Sequence, residues 1–302
     1  MSDYDNAFPF KDGSMNQSSG LLFARGQKNI SITGFGTIDG QGGNKTFQFG
    51  NDADGGPKRP KIIYFVECKG IVVTDVTLRN SAYWVQHYEK CEDVTIRGLK
   101  VFSHCNYNND GLDIDAKNAT ISDCYIDVED DAICFKSDHP EFCENITVTN
   151  CVTASNCNAI KFGTASHGGY RNIAVSNCVV RRAAEDNIRH WSKQLEHISA
   201  DVTVISGVAI EMVDGGIIDG ITVSNISMRD VQTPIFIRLG DRHRTYRKEG
   251  GVLKNINISN IVATAESLIA CSITGVETSY VENVSINNVQ ISYPGGRNLG
   301  HG

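Results

Sequence analysis

A nine-residue pattern recurs nine times along the chain. The segments NITVTNCVT from Asn145, NIAVSNCVV from Asn172, GITVSNISM from Gly220 and NINISNIVA from Asn255 share it. Copies starting at Asn29, Gly70, Asp93, Asn118 and Asn283 follow with small deviations. Counting the first residue as zero, positions one, three, six and eight are apolar, save Thr37 and Thr153 at position eight of two copies, and position five is Asn, Asp or Gly. Successive starts lie 41, 23, 25, 27, 27, 48, 35 and 28 residues apart, which predicts a unit of about 25 residues and reads the gap of 48 as two units. Repetition at this period marks a solenoid, in which each unit buries its apolar face against the next.

Apolar residues at positions one and three follow the alternation of a β-strand, and those at six and eight follow it again after a break. Each unit is therefore predicted to hold two short strands around a kink. Position five sits at the kink, where Asn, Asp and Gly adopt a left-handed backbone at least cost. Asn150, Asn177, Asn225, Asn260 and Asn288 are expected to stack there as a ladder. Neither a two-residue Asn-Gly hairpin signal nor a helical segment joins the strands, so the pattern predicts an all-β parallel β-helix over a β-sandwich with Asn-rich turns. Ten cysteines do not imply a disulfide framework: Cys124, Cys151 and Cys178 fall at position six, where other copies carry Leu99, Ile226, Ile261 or Val289, and read as packing residues. No Cys/His spacing of a zinc site occurs, and neither a structural metal nor a cofactor is expected.

The composition, 40% apolar and 21% charged over 302 residues, suits one sizeable core in a single domain spanning 1–302. No run approaches the roughly twenty apolar residues of a bilayer span, and the start, MSDYDNAFPFKDG, is too polar for a signal peptide. A membrane protein is excluded on this reading. With 28 basic against 35 acidic residues the net charge is −7, which argues against broad attachment to nucleic acid or anionic lipid. About thirty residues precede the first clear repeat and SYPGGRNLGHG follows the last, so no terminal cap is recognisable and the oligomeric state is open.

A second alignment lies between the repeats: Asp110-Gly-Leu-Asp-Ile-Asp, Asp131-Ala-Ile-Cys-Phe-Lys, Asn158-Ala-Ile-Lys-Phe-Gly, then Ala209-Ile-Glu-Met and Ile237-Arg-Leu-Gly. Leu112, Ile114, Ile133, Phe135, Ile160, Phe162, Ile210 and Met212 are predicted inward. Asp113, Asp115, Cys134, Lys136, Lys161, Glu211 and Arg238 then form an outward row, with Lys161 one rung before Glu211 and Arg238 one after. Asp110, Asp130 and Asp131 stand at strand entrances one coil apart, and a bend there is required to turn them outward. Carboxylates gathered at one place repel each other, which marks acid–base work more than architecture. The chemistry that fits is glycoside hydrolysis, with one protonated carboxyl for the leaving oxygen and one carboxylate to activate water.

At these residues the chain resembles the polygalacturonase-like glycoside hydrolases, family 28, over residues 29–296. The matching pieces are GTIDGQGG (36–43), Asn108-Asn109-Asp110-Gly111, Asp130-Asp131 and GTASHGG (163–169). The resemblance implies a right-handed parallel β-helix, hydrolysis with inversion of a galacturonic-acid-containing pectin-type glycan, and export to the periplasm or beyond, although no signal peptide is present. It implies Asp130 as general acid, with Asp110 and Asp131 holding and deprotonating the water. Two departures bear on the substrate. Cys157, Asn158 and Ala159 stand where the family has Gly-His-Gly, and Ala209, Ile210 and Glu211 where it has the Arg-Ile-Lys that grips a uronate. Lys136, Lys161 and Arg238, with His167 and Arg242 in loops beyond, are the candidate replacement cations. Asn108, Asn158 and Glu211 complete the predicted substrate contacts, and Tyr83, Trp84, His87 and Tyr88 are candidate stacking residues. The polar segment 181–197 interrupts the repeat and either walls the cleft or covers an edge. Two other readings stay open: a calcium-dependent polysaccharide lyase, whose aspartates would ligate the cation, and a non-catalytic glycan-binding β-helix.

Overall fold

The computed structural model describes residues 20–47, 59–185, 204–242, 250–266, 271–277 and 279–293. Among these residues the chain is all-β: twenty strands and a single 3-10 turn, Lys45–Phe47. The strands run in parallel ladders, and Ile146 and Val148 face Ile173 and Val175 in the same direction.

The first ladder is built from repeat positions one and three. Ile30, Ile71, Val94, Ala119, Ile146, Ile173, Ile221, Ile256 and Val284 lie side by side. Positions six and eight build the second, in which Ile38, Leu78, Val101, Ile126, Thr153, Val180, Met228, Ala263 and Ile291 align. Each coil adds a third strand that the nine-residue pattern does not cover. In this third ladder Tyr64, His87, Asp113, Cys134, Lys161, Ala209, Phe236 and Ser272 are neighbours. A coil therefore has three strands, not the two expected from the repeat.

The gap of 48 residues is one coil, not two, because Ile173 pairs directly with Ile221. The added length falls between the second-ladder residues 178–182 and the third-ladder strand Val204–Met212, and the described strands on either side of it remain one coil apart. Most of the segment 181–197 lies outside the described residues.

The core is the stacked apolar columns. Leu112, Ile114, Ile133, Phe135, Ile160, Phe162, Ile210 and Met212 are completely buried, as alternation requires. Cys124, Cys151 and Cys178 are buried in one column, and all ten cysteines are free thiols. The kink asparagines have positive φ, from 50° at Asn288 to 57° at Asn150 and Asn225. Asn225 Nδ2 donates to Asn177 Oδ1 at 3.0 Å, Asn260 to Asn225 at 2.9 Å and Asn288 to Asn260 at 2.8 Å. A second column forms at repeat position zero, where Asn118, Asn145, Asn172, Asn255 and Asn283 are also left-handed. There Asn145 donates to Asn118 at 3.1 Å and Asn172 to Asn145 at 2.8 Å. Stacking coils about 4.8 Å apart brings equivalent amides within hydrogen-bond reach.

Candidate active site

The site occupies the corner between the second and third ladders. Third-ladder strands begin at Leu112 and Ile133, each preceded by a bend, at Gly111 and Ala132. A Cβ at Gly111 would lie 2.5 Å from Ile126 Cγ2 and 2.7 Å from the Ala132 carbonyl oxygen, so only glycine passes this corner. Backbone bonds stack the corners on each other: Val85 N–H donates to Asp110 O, Gly111 N–H to Asp131 O, and Ala132 N–H to Asn158 O. Asn109 pins the first of them. Its amide donates to the carbonyls of Ser81 and Tyr83, both at 2.9 Å, and accepts from Ser103 Oγ.

These bends bring Asp110 and Asp131 out of the inward register and onto the outward row. Lys136 Nζ stands 3.3 Å from Asp110 Oδ2 and 3.1 Å from Asp113 Oδ1. Lys161 Nζ stands 3.0 Å from Asp131 Oδ2 and 3.9 Å from Glu211 Oε1. Asn158 donates to Asp131 Oδ1 twice, from Nδ2 at 2.7 Å and from its backbone N–H at 3.2 Å. Asp130 Oδ1 accepts the Asp131 N–H at 2.9 Å, while its carbonyl accepts from Ser155 Oγ. Asp110, Asp113 and Asp131 are thus gathered around two ammonium groups with Asp130 beside Asp131; the four carboxylates and Lys136 are buried, and Lys161 is half-buried. Asp113 had entered the outward row without a role. Its complete burial beside Lys136 makes it part of the cluster.

The two carboxylates that flank the cations are pushed in opposite directions. Burial raises Asp110 well above the usual carboxylate range, and the charges of Asp113, Asp130 and Asp131 add to this against Lys136. Burial also acts on Asp131, but Lys161, Lys136 and the Asn158 amide overcome it and hold this carboxyl down at about 2. Asp113 is raised by burial to about 6 despite Lys136. The lysines lose hydration, yet the surrounding carboxylates hold both well above their ordinary values. Asp131 is thus held as the carboxylate while Asp110 is shifted the opposite way, the separation that lets neighbouring carboxyls take different parts. Asp110 Oδ1 is buried with no hydrogen-bond partner among the described residues, an acceptor free for a water or a sugar hydroxyl.

Ligand atoms of Asp110, Asp131 and Cys134 lie within 4.8 Å of one another, as do those of Asp130, Asp131 and Cys157. This donor set does not fit calcium, which takes six to eight hard oxygens. Each cluster includes a thiol that burial keeps protonated, and Lys136 and Lys161 already occupy the space where a cation's charge would act.

Other predicted positions fall differently. Asn108 accepts from Arg59 Nη2 at 3.0 Å and braces the corner loop. His167 lies just past the far end of the strand Asn158–Ser166, where its backbone N–H donates to the Ser137 carbonyl at 2.6 Å. Lys161 pairs in register with Ala209, and Glu211 with Arg238, so the expected Lys161–Glu211–Arg238 succession is displaced by one pair of residues. Arg238 is exposed and makes no ion pair among the described residues. Arg242 is bound by Asp214 at 3.0 and 2.6 Å and by Thr164 at 2.9 Å, which makes it a loop clamp. Tyr88 is fully buried against Phe65 and cannot meet a sugar. Trp84 is half-buried, stacks with Tyr83 at 5.2 Å and carries Lys61 and Lys136 at 4.6 and 4.4 Å from its ring centroid, so it helps to place both cations. Lys61 escaped the alignment because its strand, Lys61–Val66, lacks the Asp-Gly entrance. It is buried, contacts His87 Nδ1 at 3.0 Å, and desolvation lowers it to about 8.

A family model described as glycosyl hydrolases family 28 matches residues 8–300. A probable polygalacturonase of Vitis vinifera is 32% identical over 138 residues, covering 44% of this chain and 27% of that protein. A polygalacturonase of Chamaecyparis obtusa is 34% identical over 125 residues, covering 39% and 24%. The matched stretches thus span only about a quarter of these relatives. Among solved structures, an exopolygalacturonase from Thermotoga maritima matches at a TM-score of 0.59 and 23% identity, covering 78% of this chain and 52% of that one. An endo-xylogalacturonan hydrolase from Aspergillus tubingensis matches at 0.65 and 15%, covering 96% and 77%. At such identities the likeness is one of fold.

Proposed function

The chain belongs to glycosyl hydrolases family 28, and from that premise we propose that it hydrolyses, with inversion, a galacturonic-acid-containing pectin-type glycan on a right-handed parallel β-helix forming one domain. The observation that carries this reading is the gathering of Asp110, Asp130 and Asp131 at one buried corner beside Lys136 and Lys161. Asp130 donates its proton to the leaving glycosidic oxygen. Asp131, ionised, takes the proton of the attacking water, and Asp110 orients that water. Lys136 and Lys161 offset the charge that the cluster gains as the acid gives up its proton. The substrate is a polysaccharide of cell walls, so the activity belongs outside the cell. No described helix is long and apolar enough to cross a membrane.

Asp130→Asn should lower turnover by roughly 10²–10⁴-fold, the usual worth of a positioned general acid, while glycan binding and the unfolding midpoint stay near wild type. Proton NMR of the first product should show the inverted anomer. Wild-type turnover in Asp130→Asn would remove Asp130 from the mechanism, and a retained anomer would remove inversion. An ultraviolet-absorbing unsaturated product would identify a lyase, and glycan binding without new reducing ends a non-catalytic module.

A further inference from the structure

Outside the catalytic cluster, the bend that follows the third ladder holds a half-open cavity of about 250 Å³. Lys90, Glu92, Asp115, Lys117, Glu141 and Phe142 line it. Asp115 follows Asp113 by two residues on the strand Leu112–Ser122, with Ile114 in the core between them. Both carboxylates therefore project from the same face, about 7 Å apart along the strand. The cavity adjoins the catalytic row.

Asp115 is only 5% exposed, and no described residue gives it a hydrogen bond or ion pair. Among its charged neighbours Glu92 takes Lys69 at 2.7 Å, Lys117 lies 3.7 Å from Glu144, and Glu89 takes His139 at 3.0 Å, while Lys90 and Glu141 make no ion pair among the described residues. Burial raises the Asp115 carboxyl to about 7, with Glu89 and Asp138 adding to the rise against His139 and Lys90. Neither Asp115 oxygen is among the sealed side-chain atoms left without a partner, so both open onto the cavity, where a ligand can supply the donors that the protein does not. The space is smaller than a drug-sized pocket and holds about one sugar ring. Phe142 offers an apolar wall, and a carboxylate accepts two adjacent hydroxyls at once. An anionic uronate would meet Asp115, Glu92 and Glu141, whereas a metal ion would meet Lys90 and Lys117 with a single buried carboxylate to hold it.

We propose that this cavity is a subsite for a neutral sugar carried as a branch on the glycan, with Asp115 gripping its hydroxyls. The proposal rests on the glycan-hydrolase reading and deepens it. The test compares two defined oligogalacturonides, unbranched and bearing one neutral pyranosyl branch, by calorimetric titration and by hydrolysis. Wild type should bind the branched chain about tenfold or more tighter, the worth of one charge-assisted hydrogen bond. Asp115→Leu should bind both alike, keep its rate on the unbranched chain, and melt at a higher temperature because an unpartnered carboxyl is gone. Phe142→Ala should lose the preference too, which covers the case of a misfolded Asp115→Leu. Equal wild-type affinities, a preference that survives in both variants, or one that depends on calcium would overturn the subsite. If neither chain is cleaved but Asp115-dependent preference persists, the hydrolase reading fails and the subsite stands. Cleavage of both without preference gives the reverse.

Discussion

Two aspartates on one strand show how environment divides identical side chains. Burial raises both, but Asp113 has Lys136 at 3.1 Å and reaches only about 6, whereas Asp115 has no such partner and reaches about 7. The unfolded chain binds a proton at Asp115 near pH 3.9, so between about pH 4 and 7 the native state holds the extra proton. Stability contributed by the protonated form is complete below pH 4 and is lost as pH rises to about 7, by an amount on the order of 4 kcal/mol. Asp131 runs the other way: held at about 2, it contributes stability above pH 4 that is lost as pH falls toward 2. Asp115→Asn should therefore melt close to wild type at pH 4 and several degrees higher at pH 7, read by calorimetry across that range. A constant difference would mean that Asp115 is partnered in solution. Asp110, Asp131, Lys136, Asn158 and Lys161 were legible in the sequence because they recur at equivalent places in successive coils. Lys61 and the Asp115 cavity were not, since one lies on a strand without the motif and the other depends on a bend that no repeat encodes.

Alternation fixes which residues of a strand face inward, but the corners decide where one strand ends and the next begins. Left-handed asparagines supply those corners and link them. Asn225 has φ of 57°, donates to Asn177 and accepts from Asn260. Asn225→Ala loses both amide bonds and the short polar side chain that makes a left-handed backbone tolerable, for a cost of about 2 kcal/mol. Asn225→Gly keeps the conformation and loses only the bonds, for about 1 kcal/mol. Denaturant unfolding of the two variants checks the order, and equal losses would show that the backbone conformation contributes nothing. The repeat made this column readable, along with the register of two ladders. It misled on the 48-residue gap because periodicity counts residues, while a solenoid counts only those that return to the ladder. Extra length before residue 204 separates in sequence two strands that stay one coil apart in the ladder.

Over the whole molecule the charge is −7, and the proposed substrate is itself a polyanion. Productive binding then depends on the few cations that face the cleft. Lys136 is committed to Asp110 and Asp113, and Lys161 is divided between Asp131 and Glu211, which leaves the exposed Arg238 as the cation of the row with no described ion pair. Glu211 stands opposite Arg238 in register and would repel a uronate brought near it. We therefore expect weak activity on unmodified polygalacturonan and better activity on a short, branched or mixed pectic glycan. Lys161→Ala should lower turnover as well as binding because it also frees Asp131, whereas Arg238→Ala should act mainly on KM. Ionic strength separates local attraction from global repulsion. The Debye length falls from about 30 Å at 0.01 M to about 8 Å at 0.15 M, which screens the distant acidic surface more than a cation in contact with the sugar. Between these salt concentrations kcat/KM on the long polyanion should rise, while on a short, mostly neutral oligosaccharide it stays nearly flat. A steep fall on the polyanion, unchanged in Lys161→Ala and Arg238→Ala, would place the binding cations elsewhere on the molecule.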